Sequence, residues 1–404
     1  EGKKSRGSTT TTAPRPPRDG AKTRASDEEM EGPIILGERY EAEDEAWRKR
    51  IATVLWLTYR CGFAEMEPFG YTDDAGWGCC LRSSQMLMAE ALSRHLGPRR
   101  RHDVVRWFFD GPGAEHAYSI HNMVRCGTRY DMMPGEWYGP GVAAHVLRDL
   151  CEMHDAAGDL KLAMAVTSPE RPLSEAQVLD AMTSSSSAAE EEEEEEEDDS
   201  EEDVVEEEEK GVETYDPLLR PPPAHRRAAA RAAKRAAQRS QRLAGPWQRS
   251  LLVVVPLRLG LHRLEDKYAK PLLACLAFPQ SVGFVGGRPR QALYFLGATD
   301  AHFVGLDPHV VQPCHADNYL ESLVCVSPRK VPVDGIDPSL ALGFYCRDRA
   351  DFLDFLKRVQ NDLPTLSQPP LFGLEDLGRG RRPAGAASSW EHDDDDDDAL
   401  DGGG

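Results

Sequence analysis

The sequence predicts an α+β fold in which a helix near the start packs against a mainly antiparallel sheet. Two observations lead to it. A glycine-punctuated loop, Tyr71–Gly78, runs straight into a helical pattern in which Leu81, Met88 and Leu92 recur at spacings of seven and four, with Gln85, Met86 and Ala89 beside them. That period argues for a helix with one apolar face. The second half of the chain instead carries short apolar runs at 251–255, 283–285, 293–296, 303–306 and 342–345, each the length of a strand.

Along the chain, helices are expected at 45–60, 80–95, 102–110, 139–154, 174–182, 266–277 and 349–360. Gly139-Pro140 makes a helix start before Val142–Leu150, since proline lacks only an N–H that the first turn leaves unpaired. Leu251–Leu259 is broken by Pro256 and Arg258 and suits a buried strand, falling far short of the ~20 apolar residues of a membrane span. Leu293–Leu296 and Phe303–Leu306 read as paired strands around a turn at Ala298–Ala301. The expected organisation is a basic disordered segment at 1–33, a first folded part at 34–183, a low-complexity insertion at 184–242, a second folded part at 243–373 and a disordered acidic tail at 374–404.

Two places carry chemistry. Cys79 falls at or just before the first turn of its helix, where unpaired N–H groups and the helix dipole favour a thiolate. Gly76 and Gly78 let a peptide approach closely. Far along the chain, Asp307-Pro308-His309 ends a strand, and side chains two apart emerge on one face. A nucleophile needs a base within reach, and the base works better when a third group fixes its tautomer. Cys79, His309 and Asp307 supply those roles. Cys80 is the rival nucleophile, but lies about a hundred degrees around the helix and is expected to pack inside. Asp300-Ala301-His302 repeats the Asp-x-His pattern, but is expected in a loose turn.

These residues resemble the autophagin cysteine proteases, which process the ubiquitin-like modifier of autophagosome membranes. The matching motifs are Gly76-Trp77-Gly78-Cys79 with Leu81-Arg82 and Gln85-Met86, Leu55-Trp56-Leu57-Thr58-Tyr59-Arg60, Glu136-Trp137-Tyr138-Gly139-Pro140 and Val255–Gly260. Gly286-Gly287-x-Pro289, Tyr294-Phe295, Leu306–His309 with Gln312, Asp337-Pro338-Ser339 and Gly343-Phe344-Tyr345 complete the set, in consistent order across 34–182 and 246–373. The resemblance implies a papain-like cysteine protease fold with a small auxiliary subdomain at roughly 100–180, and a cysteine endopeptidase with a Cys-His-Asp triad. In that reading Cys79 is nucleophile, His309 general base and Asp307 its orienting partner. Tyr59 stabilises the oxyanion beside the Cys79 N–H; its alternative reading is a core aromatic. Trp137 and Pro289 match the pair where a substrate-lifted loop covers the cleft, although Trp137 read alone is a core residue.

The resemblance further implies cleavage after the modifier's C-terminal glycine, both in its precursor and in its phosphatidylethanolamine conjugate. It implies a cytoplasmic, monomeric enzyme in peripheral contact with the autophagosomal membrane, with no cofactor, metal or nucleic acid. The alternative function is a modifier-binding scaffold of the same fold with weak turnover. Cys80 stands where the family usually has methionine, both being soft and apolar. No aromatic-x-x-aliphatic docking motif occurs in the C-terminal tail; Tyr215-Asp216-Pro217-Leu218, with glutamates upstream, resembles one, Tyr215 and Leu218 filling the two pockets.

Composition agrees with that organisation. The formal net charge of −21 belongs largely to residues 190–209, with 17 carboxylates, and to Asp393–Asp398, so the remainder is close to neutral. Nine cysteines without paired spacing give neither a disulfide framework nor a zinc pattern. His225–Leu243 holds seven Lys/Arg residues in an alanine-rich stretch and is read as pairing with the acidic run before it, binding to nucleic acid or anionic lipid being the other option.

Overall fold

A computed structural model describes residues 32–41, 45–158, 160–167, 247–287, 291–299, 302–315 and 318–373, with the single residues 173 and 178. The expected 184–242 insertion and 374–404 tail lie outside the described residues, as does most of the helix expected at 174–182. The fold is α+β and papain-like, with the helix that begins at Cys79 packed on a mainly antiparallel sheet.

The chain opens with the short strands β1 (Ile34–Ile35) and β2 (Glu38–Arg39), then helix α1 (Ala46–Ala52). Strands β3 (Arg60–Met66) and β4 (Tyr71–Asp73) precede α2 (Cys79–Leu96), followed by α3 (Arg101–Trp107), α4 (Ile120–Gly127), α5 (Pro140–Gly158) and β5 (Leu162–Val166). The second block holds β6 (Ser250–Arg258), α6 (Ala269–Leu276), β7 (Ser281–Gly286), β8 (Leu293–Thr299), β9 (His302–Leu306), β10 (Gln312–Pro313), β11 (Arg329–Pro332), β12 (Ser339–Cys346) and α7 (Arg349–Lys357).

The main sheet runs β11-β9-β8-β7-β12-β6-β5, with β1 added to β8 and β2 to β1. Every pair in it is antiparallel except β5 with β6. Both faces of its central strands are covered, so β6, β7, β8 and β12 are buried along nearly their whole length. Tyr294 and Leu296 of β8 join the core shared with α2, while Leu293 and Phe295 join the opposite core beneath α6 and α7. Gly343 of β12 lets α2 approach this sheet: a Cβ there would lie 2.7 Å from Val282 and 3.1 Å from Leu87.

Two expectations need correction. The helix expected to have one apolar face is buried all round from Cys79 to Leu92, because the sheet covers one side and α3–α5 the other. Its polar residues are therefore paired inside: Gln85 Nε2 donates to the Tyr118 carbonyl at 2.7 Å, and Glu90 takes Arg50 and Arg94. The helix expected at 45–60 stops at Ala52. Residues 55–59 are extended instead, because their backbone is claimed by a distant segment: Trp56 N–H donates to Leu323 O at 2.8 Å and Tyr59 N–H to Pro308 O at 2.9 Å. The auxiliary region consists of α3, α4 and α5, and its buried Val104, Met123 and Leu147 belong to the same core as α2.

Candidate active site

The 74–78 turn aims Cys79. The Asp74 carbonyl accepts from the N–H groups of Trp77 at 3.3 Å and Gly78 at 2.9 Å, and Gly78 caps α2. Its fully buried carboxylate accepts from the Arg60 N–H at 2.7 Å and from Arg82 Nε and Nη2 at 2.8 and 2.9 Å. Arg82, equally buried, carries on to Asp110 at 2.9 Å. Gly78 must be glycine here, since a Cβ would lie 2.3 Å from Asp74 Oδ2. One carboxylate thus fixes both the residue after Tyr59 and the turn before Cys79. Cys79 itself is fully buried. Burial opposes ionisation of its thiol, but hydrogen bonds with His309, the Ala292 backbone and Tyr59 outweigh burial and lower its pKa. Cys80 is also fully buried, and burial, then the charge on Cys79, push its pKa up against a single opposing hydrogen bond with Ser84.

The candidate base, His309, lies three residues beyond the end of β9. His309 Nδ1 lies 2.5 Å from Asp307 Oδ1, which also accepts the His309 backbone N–H at 3.0 Å. Arg329, on β11, donates to the other oxygen, Asp307 Oδ2, at 2.6 Å. Hydrogen bonds with Asp307 and then Cys79 raise His309 to about 9 against the opposing effect of burial. Asp307 is buried enough to resist ionisation, yet His309 and Arg329 hold it well below the usual carboxylate range. Cys79 and His309 therefore favour a thiolate–imidazolium pair. Of the rival Asp300-Ala301-His302, only His302 is described; it lies on β9, half-buried.

Tyr59 joins the two sides. Its N–H donates to Pro308 O and its carbonyl accepts from Gln312 N–H at 3.0 Å, while its ring meets His309 edge-on at 5.4 Å between centroids. Its buried hydroxyl lies beside the Cys79 thiol and the Gly76 backbone. Burial, then the charge on Cys79, push its pKa up, so it stays a protonated donor. Trp137 is half-buried against the α2 core, its Nε1 without a partner among the described residues. Pro289, Tyr215 and Leu218 lie outside the described residues. His309 also lines a cavity of about 480 Å³, together with Gly287, Gln291, Leu293, Arg329 and Asp337.

Sequence reasoning assigned no role to several residues that hold this arrangement. Trp56 Nε1 donates to the Asp307 carbonyl at 2.9 Å, and Gln312 Nε2 to Thr58 Oγ1 at 2.9 Å. Trp56, Arg82 and Gln312 all lie inside the motifs quoted above, which was the available signal. Asp110 and Arg329 had no local signal, since Arg82 and Asp307 lie 28 and 22 residues away from them.

Comparison with known proteins gives one consistent result. The peptidase C54 catalytic domain model matches residues 44–358. Cysteine protease ATG4A of Oryza sativa subsp. indica is 30% identical over 361 residues, covering 82% of this chain and 65% of that protein. Cysteine protease ATG4A of Gallus gallus is 30% identical over 339 residues, covering 78% of this chain and 77% of its own length. Cysteine protease ATG4A of Mus musculus is 29% identical over 353 residues, covering 81% and 78%. The chain therefore spans just under two thirds of the length of the rice relative.

Proposed function

The chain belongs to the peptidase C54 family, and from that premise we propose that it is a cysteine endopeptidase cutting after the C-terminal glycine of the ubiquitin-like autophagy modifier. The observation that carries the reading is the hydrogen-bonded series Cys79–His309–Asp307 at the head of a buried helix. The Cys79 thiolate attacks the glycine carbonyl. The Tyr59 hydroxyl and the Cys79 N–H receive the oxyanion, donors aimed where charge develops. With Nδ1 held by Asp307, His309 gives its Nε2 proton to the leaving amine. Water, activated by the same imidazole, then clears the thioester. The phosphatidylethanolamine conjugate is an amide of the same glycine and reacts by the same steps. In this reading Trp137 narrows the cleft at the scissile residue, so that glycine is accepted and a residue with a side chain is refused.

The test is cleavage of the modifier precursor and of its lipid conjugate by purified protein. Cys79→Ala and His309→Ala should abolish both while modifier binding persists. Turnover retained in Cys79→Ala but lost in Cys80→Ala would reassign the nucleophile. Replacing the substrate's glycine by alanine should depress kcat/KM sharply, and Trp137→Ala should narrow that difference. Equal cleavage of the two substrates would remove the steric account.

A further inference from the structure

We infer that Tyr71 is a positioning residue for the selection of glycine, its ring coupling the turn that leads into Trp137 to the turn that leads into Cys79. This rests on the protease reading above and names what holds the narrowing residue in place.

Tyr71 begins β4 and is half-buried at the border of the α2 core. On one side its ring meets Trp77 edge-on at 5.5 Å between centroids, a separation at which aromatic pairs attract. Trp77 is buried two residues before Cys79, and its N–H is held by the Asp74 carbonyl. On the other side, the hydroxyl end of Tyr71 rests on Gly135. A Cβ at Gly135 would overlap Tyr71 Oη and lie 2.8 Å from Cζ, so only glycine allows the approach. One side chain thus bridges two segments that are far apart in the sequence.

The second segment is a stiff turn. Met133-Pro134-Gly135-Glu136 is of type II, with proline at its second position, Gly135 at φ +91° in its third, and the Glu136 N–H donating to Met133 O at 3.3 Å. The Glu136 carboxylate accepts the Met133 N–H at 2.7 Å and closes the turn a second time. Trp137 follows directly. Beyond it, Tyr138 is fully buried against Gly127 of α4, where a Cβ would lie 2.6 Å from the Tyr138 ring. Trp137 therefore stands between two anchors, Tyr138 on α4 and the 133–136 turn on Tyr71. Its indole has no polar anchor of its own, since Nε1 is buried without a hydrogen-bond partner among the described residues. Of the two anchors, Tyr71 is the one that leads on to Trp77 and the nucleophile's turn. A methyl group on the substrate residue is refused only if the indole cannot yield toward or away from Cys79. That stiffness comes through Tyr71.

The experiment measures kcat/KM of the full chain on modifier precursors with glycine or alanine at the scissile position, and reads their ratio. Lost stability alone lowers both rates together, so the ratio separates positioning from support of the fold. Tyr71→Ala should reduce the glycine-over-alanine ratio by about tenfold, the lower end of what one carbon is worth in a fitted pocket. Tyr71→Phe keeps the ring between Trp77 and Gly135 and should retain most of the ratio. Gly135→Ala pushes the turn off Tyr71 and should lower the ratio as Tyr71→Ala does. In a protein already carrying Tyr71→Ala it should lower the ratio little further, because the contact it breaks is gone. Fully additive effects of the two overturn the coupling. An unchanged ratio in a folded Tyr71→Ala overturns the inference, whether or not both rates fall together. Should Tyr71→Ala fail to fold by circular dichroism, Gly135→Ala decides, and an unchanged ratio there overturns it equally. Equal cleavage of both substrates by the unaltered chain removes the steric account of Trp137, and the role of Tyr71 with it. No cleavage of either overturns the protease reading itself, a different failure from selectivity that ignores Tyr71.

Discussion

Cys79 is fully buried at the head of α2, its approach turn held by Asp74, Arg82 and Asp110, all of them buried. Asp307 and His309 instead keep 26% and 27% of their side-chain surface exposed, and their outer support is Arg329, itself 59% exposed. Cys79 is thus placed by folding, through fully buried groups. His309 is placed by local hydrogen bonds nearer the surface. Removing an arginine should therefore mean different things in the two halves: unfolding at Arg82, and altered proton chemistry at Arg329.

The largest effect expected is on chemistry alone. Asp307→Asn keeps the shape of the acceptor but loses the charge that holds the imidazolium, so kcat/KM should fall by about 10³–10⁴. The thermal midpoint should change little, because the site is part-exposed. Proton linkage gives a sign to check. With Asp307 intact, His309 is raised to about 9, so the thiolate–imidazolium pair persists until pH passes about 9 and activity is lost above it. In Asp307→Asn the alkaline limb should move down toward the ordinary imidazole value of ~6.5. An alkaline limb that stays near 9 would detach Asp307 from His309.

Arg82→Gln comes next, and it should act on stability. It leaves Asp74 and Asp110 buried with no cation, a change that typically costs about 3–5 kcal/mol. Denaturant unfolding should show the loss directly. If the variant melts normally and only turnover falls, the proposed contrast between the halves is wrong.

Arg329→Gln should do the reverse on a smaller scale. Freed of a competing cation, Asp307 binds the imidazolium more tightly, so the alkaline limb moves above about 9. The carboxylate also loses the bond that sets its plane, and kcat should drop by about tenfold, the scale of one lost charge-assisted hydrogen bond at an exposed site. Arg329→Lys should restore the pH profile, and raised salt should mimic part of the loss. Stability should change by less than about 1 kcal/mol, the ordinary worth of an exposed ion pair.

What could be read from the sequence follows the same division. Asp307 and His309 are two residues apart, and Cys79 sits where loop becomes helix, so each half announces itself locally. The supports do not. Asp74 and Arg82 are near neighbours in sequence, but Asp110 lies in a loop after α3, and Arg329 reaches Asp307 only through the pairing of β11 with β9. The helix expected at 45–60 failed for a related reason. Residues 55–59 continue the chain from α1 with no Gly or Pro to break it, but their backbone groups pair with 308–324, and only the tertiary structure shows that competition. The all-round burial of α2 was equally hidden, since its polar residues look like a solvated face until their buried partners are known. β6, β7, β8, β9 and β12 were legible as apolar runs, whereas β1 to β5, β10 and β11 were not.

The smallest expected effect is none, and it tests whether anything outside the two halves matters to catalysis. Removing 184–242 and 374–404 together should leave kcat/KM on a soluble modifier precursor unchanged, and the circular-dichroism melt with it. Residues 190–209 hold 17 carboxylates, which repel one another and offer no apolar surface to bury. The sheet sets the limit on trimming. β5 pairs with β6 in parallel, Leu162 opposite Ser250 and Val166 opposite Val254, so the connection must return along the strand from Val166 to Ser250. Parallel neighbours need a crossover of a dozen or more residues. Deleting 184–242 still leaves 24 residues between Val166 and Ser250, enough for that return. Deletion to fewer than about ten should break the β5–β6 pairing and lower the melting temperature, while His309 keeps its titration until the fold is lost. A melt already lowered by removing 184–242 would mean that the insertion supports the sheet, and the separation of folded halves from dispensable arms would have to be redrawn.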